Sequence, residues 1–235
     1  MLASFIARHP SGSALRRESP TPLKLAPGRV DSSDEVFRYL LLIGAVAGVA
    51  AYFLVLRPDI GKTEETLAAI ASQIAGRPVS IKCQGVLSDA IDVSGGGGEV
   101  LFDARGRPAD VAELKRSVCT QLSEFPSTVG DTRYGCLVSA TSCPRDIDGY
   151  VEAIHTLTHE AWHLRGVQDE RIAECYALQT DQHVAAHLGA GKSLARAIAV
   201  YYASEKYTRL SSTYQTPACR NGGRYDLNRG SRAWP

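Results

Sequence analysis

The spacing of apolar residues changes character along the chain. Residues 1–37 carry few large apolar side chains among many Pro, Ser and Arg. Such a segment buries too little surface to offset its chain entropy, so a disordered tail is expected. From Tyr39 to Leu56 the pattern becomes an uncharged apolar run of roughly 18 residues, about the minimum for crossing a bilayer as a helix. Bracketed by Arg38 and Arg57, it predicts a single-pass anchor over 38–57. A cleaved signal peptide fits less well, because the charged segment before the run is long and no small-x-small site follows it.

Beyond the run, residues 58–235 show the mixed periodicity of a globular domain. Leu67, Ile70 and Ile74 share one helical face, predicting a helix capped at Thr63, running through Ala75 and stopped by Gly76. Pro78–Cys83 alternates like a strand, and Glu99–Asp103 is a second after the break at Gly95–Gly98. Asp110 is expected to cap a helix to about Leu122, with Val111, Leu114, Val118 and Leu122 at helical spacing. Ser127–Asp146 reads as irregular. Helical spacing resumes after Gly149 and stops at Gly166. Asp169 then caps a helix from Glu170 to about Leu188, ended by Gly189. A last helix covers Leu194–Tyr207, and the chain from Ser211 is loop-like. The fold class expected is α+β, mainly α, with a membrane anchor, a few strands and disulfides.

Composition narrows the possibilities. The 235 residues are 44% hydrophobic and 22% charged with a net charge of +1, which suits one membrane segment and one modest domain and gives no reason to expect nucleic acid. Arg8, Arg16, Arg17, Lys24, Arg29 and Arg38 precede the apolar run and favour a cytoplasmic N-terminus. All six cysteines follow it, without a C-x-x-C pair, which fits disulfides in an extracytoplasmic domain of the cell envelope. Six cysteines can pair in many ways. The pairing preferred is Cys83 with Cys119, Cys136 with Cys143, and Cys175 with Cys219, against the alternative of buried free thiols.

The chemistry concentrates between 147 and 190. His159-Glu160-Ala161-Trp162-His163 places two imidazoles one helical turn apart, able to grip a single ion. Zinc is the ion expected, since catalytic zinc takes three protein ligands and leaves a position for water. The short connection through Gly166 makes the next helix antiparallel, bringing Glu170 and Glu174 beside the histidines. His155, a turn earlier, either contacts the site from behind or packs in the core. His183 and His187 form another i, i+4 pair, but His183 lies about 220° around the helix from Glu170 and is excluded from the metal face.

These residues resemble the gluzincin branch of the zincin metallopeptidases, in which H-E-x-x-H is followed by E-x-x-[AS]-[DE] on the next helix. Glu170-Arg-Ile-Ala173-Glu174 matches that second string. The resemblance implies Glu170 as third ligand, Glu174 as the carboxylate orienting His159, and Glu160 as general base. The segment between His163 and Glu170 is shorter than gluzincins usually have, which leaves Glu174 as an alternative third ligand. The string through Gly166 to Asp169 also resembles a metzincin motif. Met1 is the only methionine, so the Met-turn of that group is absent and Asp169 is expected as a helix cap.

The function expected is therefore hydrolysis of a peptide or related amide by a membrane-anchored zinc metallopeptidase acting on a peptide or protein substrate. Zinc would lower the pKa of its water toward about 7 and Glu160 would take the proton. Tyr201, Tyr202, Tyr207 and Arg165 are candidates for the donor to the developing oxyanion. No strand suited to lining a substrate cleft is legible in so short a domain. That favours an alternative, a catalytically silent zinc-binding envelope protein with a structural or regulatory role. A disulfide-rich binding domain without metal is a third reading.

Overall fold

The computed structural model describes residues 32–55, 60–85, 96–139, 143–231 and 234–235. The chain divides into two compact units, Met1–Val55 and Leu56–Pro235. Most of the expected tail, 1–31, lies outside the described residues, but Ser32–Phe37 is helical, the start of α1 (Ser32–Val55).

The membrane anchor needs correcting. Among the described residues no helix is long and apolar enough to cross a membrane. Leu56, the end of the expected run, lies outside the described residues. The single-pass helix at 38–57 is overturned, and with it the membrane localisation as an anchored arrangement of cytoplasmic N-terminus and extracytoplasmic domain.

The second unit is built around one helix. It contains α2 (Ile60–Ala75), β1 (Ser80–Cys83), β2 (Gly98–Phe102), β3 (Pro108–Leu114), α3 (Arg116–Thr128), α4 (Gly135–Ser139), α5 (Arg145–Leu164), α6 (Glu170–His187) and α7 (Lys192–Tyr201). From Tyr150 to Leu164 every residue of α5 except Glu152 and Thr156 is buried. A helix buried nearly all round must be surrounded, and α2, α3, α6 and the sheet all pack against it. Leu67, Ile70 and Ile74 form the buried apolar face of α2, while Ile154, Leu157 and Ala161 of α5 are wholly enclosed in the same core.

The sheet has the order β1-β3-β2, with β1 parallel and β2 antiparallel to β3, which among the described residues leaves β2 at an edge. The stretch expected as one helix from Asp110 is in fact β3 followed by α3. Ala112 and Leu114 are buried while Glu113 between them is exposed, a period of two that pairing with both neighbours enforces. Local helical spacing of Val111, Leu114 and Val118 lost to that tertiary pairing. The segment read as irregular, Ser127–Asp146, also holds a 3-10 turn at Thr132–Tyr134 and the short α4. The last helix ends earlier than expected, at Tyr201, and passes into a π turn, Tyr202–Lys206.

Three disulfides join Cys83 to Cys119, Cys136 to Cys143 and Cys175 to Cys219, the preferred pairing. They tie β1 to α3, close a small loop before α5, and fasten α6 to the C-terminal segment. The first and third close loops of 36 and 44 residues, each contributing on the order of 3–4 kcal/mol through the unfolded chain.

Candidate metal centre

The turn between α5 and α6 positions the centre. Gly166 adopts φ +106°, a left-handed conformation suited to glycine, and Val167 N–H donates back to Trp162 O at 3.1 Å. Asp169 caps α6 by accepting from the backbone of Arg171 and Ile172, as expected for it. Glu170 thereby opens the helix beside His163.

Hydrogen bonds then fix which ring nitrogens carry protons. Val167 O can only accept, so His163 Nδ1–H donates to it, at 2.6 Å. His159 Nδ1–H donates to Glu174 Oε2 at 2.9 Å. The Nε2 atoms of both rings are left with lone pairs, 2.9 Å apart, and Glu170 Oε2 stands 3.0 and 3.3 Å from them. Three electron-pair donors converge with no proton among them when the rings are neutral, an arrangement that calls for a cation. Tetrahedral ligands bonded at about 2.0–2.1 Å sit roughly 3.3 Å apart, so this donor set fits a zinc-sized ion. The buried His and Glu groups can hold a metal ion.

Electrostatics reflect this crowding. Burial would push His159 down, yet Glu170 and Glu174 more than reverse it and raise the imidazole to about 9. The same histidines hold Glu170 at about 2. Glu160 is buried, which pushes its carboxyl up, and its Oε2 has no hydrogen-bond partner. A buried acceptor without a partner is costly, and its place next to the converging donors suits a group that works on a hydrogen-bond donor such as water.

Gly98 of β2 packs against this carboxylate. A Cβ there would lie 2.7 Å from Leu114 Cδ2 and 2.8 Å from Glu160 Cγ. Gly98→Ala is expected to cost about 1–3 kcal/mol in overpacking and to lower Tm by several degrees. An unchanged melting curve would show that Leu114 and Glu160 move aside freely.

Behind His159 lies a second buried group. His155 Nδ1 donates to Asp181 Oδ2 at 2.8 Å, and its Nε2 lies 3.0 Å from Glu174 Oε2. Burial lowers the His155 pKa, but Asp181 and Glu174 on either side raise it to about 10. Despite its own burial Glu174 is held well below the carboxylate range by His155 and His159. Glu170 thus stands at the front of the two Nε2 atoms and Glu174 at the back of His159.

The cleft in front has a volume of about 1060 Å³ and is lined by β2, α5, Glu170 and the C-terminal segment. Its edge strand is not legible as such in the sequence, because Gly98–Phe102 becomes a cleft wall only on pairing with β3. The expected oxyanion donors are mostly engaged elsewhere. Arg165 donates to Ile74 O at the end of α2, Tyr201 to Asp148, and Tyr207 contacts Thr216. Tyr202 lines the cleft but donates to Glu174. Tyr214, absent from the expected donors, lines the cleft with its ring 6.2 Å from that of His159. Its one sequence signal is proximity to Cys219, bridged to the neighbour of Glu174. His183 and His187 sit away from the centre, with His183 Nε2 3.3 Å from Gln73 Oε1.

No protein-family profile, curated protein or solved structure matches the chain.

Proposed function

We propose that this protein is a gluzincin-like zinc metallopeptidase that hydrolyses a peptide or related amide bond. His159, His163 and Glu170 hold the ion in this reading, and Glu160 is the general base. The observation that carries it is the convergence of the two Nε2 atoms and Glu170 Oε2 beside an orphaned buried carboxylate. Zinc, when bound, supplies a Lewis acid that activates water and polarises a carbonyl. Glu160 takes a proton from the attacking water and passes it to the leaving amine; a carboxyl raised by burial suits both transfers. Tyr214 is the candidate donor to the developing oxyanion. Among the described residues β2 is an edge strand along the cleft, which suits an extended peptide adding to the sheet through its backbone.

The test is cleavage of a broad peptide library by the purified full chain, with metal content measured in parallel. Cleavage that a chelator abolishes and zinc restores is the expected result. Bound zinc without cleavage would make the protein a silent zinc-binding module, and absence of any bound metal would remove the centre altogether.

A further inference from the structure

We propose that Asp181 and His155 are positioning residues that act through Glu174 to hold His159 ready for the metal. The inference rests on the metal-centre reading above and extends it to side chains that touch neither ion nor substrate.

The geometry is a file of buried groups. Asp181 is fully buried, and His155 and Glu174 are each 3% exposed. Asp181 Oδ2 accepts from His155 Nδ1 at 2.8 Å, His155 Nε2 approaches Glu174 Oε2 at 3.0 Å, and that same oxygen accepts from His159 Nδ1 at 2.9 Å. The middle contact is out of line for a hydrogen bond, since His155 Nε2 has no hydrogen-bond partner, so it acts as a charge pair. Tyr202 closes the file. Its ring stacks on His155 at 3.6 Å with planes 13° apart, and its hydroxyl donates to Glu174 Oε1 at 3.2 Å.

Both oxygens of Glu174 are thereby fixed, and the one facing His159 is fixed from behind by His155. Isolated, a buried ion pair is a poor route to stability, because desolvation offsets much of the attraction. Here the file ends on the ring whose other nitrogen faces the ion. Partners of metal-binding histidines set the ring's tautomer and orientation, and removing them typically weakens metal binding about 10–100-fold. A file of three such groups extends that control two residues further into the core. The alternative of a second ion between His155, His159 and Glu174 is disfavoured because it would break the contacts of the file.

The experiment compares zinc affinity of the full chain with that of Asp181→Asn and His155→Gln, by competition with a chromophoric chelator. Thermal unfolding of the metal-free proteins is recorded alongside, with Ile81→Val as a core control on β1, which β3 separates from the cleft strand β2. Both file variants are expected to bind zinc about 10–100-fold more weakly, and the control as the wild type does. Should either fail to fold, Tyr202→Phe, which removes one hydrogen bond to Glu174, is expected to weaken binding several-fold. File variants that melt lower but bind zinc unchanged would make the file a core ion pair only and overturn the inference. Two ions per wild-type chain would overturn it as well. A wild type that binds no zinc would fell the metal centre itself, an outcome distinct from unchanged affinity.

Discussion

Glu160→Gln is expected to retain zinc and to lose hydrolysis by about 10²–10⁴-fold, the usual contribution of a positioned general base. The substitution preserves shape, so the packing of Glu160 against Gly98 is kept. The proton acceptor alone is removed. Elemental analysis and initial rates on a cleaved peptide measure the two halves of this expectation. Turnover at the wild-type rate would exclude Glu160 as base, and loss of zinc would show that it helps to hold the ion.

His163→Ala is expected to abolish the stabilisation that zinc confers. At about a thousand times its Kd, zinc adds about 4 kcal/mol to the folded wild type. The variant loses one of three donors and the hydrogen bond to Val167, and its melting temperature should be the same with zinc as with chelator. The wild type should also show a characteristic pH dependence. In the metal-free protein His155 and His159 are raised to about 10 and 9, so their contribution is complete below about pH 6.5 and is lost as pH rises through those values. Glu170, lowered to about 2, contributes above its ordinary range near pH 4.5 and loses that contribution as pH falls. Metal-free stability should thus be greatest between about pH 4.5 and 6.5. The zinc increment should instead grow as pH rises, because the ion must displace the proton of His159. Melting curves in chelator and in zinc across this range test both signs; a zinc increment independent of pH would argue against His159 as a ligand.

The readable part of this chain is local. The i, i+4 histidines, the glycine stop at Gly166 and the cap at Asp169 each act within one or two turns, so spacing alone announces α5, the turn and α6. The sheet is less legible. Pro108–Leu114 carries apolar residues at a spacing that suits a helix as well as a strand, and only its two neighbours select the strand. The expected membrane span fails on the helices themselves: among the described residues none is both long and apolar enough to cross a bilayer.

By itself the sequence determined the residue types, the helical phase of His159 and His163, and the order of Glu170 and Glu174 on the next helix. Tertiary structure decided what those phases could not: that Glu170 faces both Nε2 atoms while Glu174 stands behind His159. It also brought Gly98 against Glu160, Tyr214 into the cleft, and Asp181 behind His155. The physical reason is range. Caps and helical phase are set by neighbours a few residues away, whereas these contacts join groups distant in sequence whose approach depends on how the helices and the sheet pack.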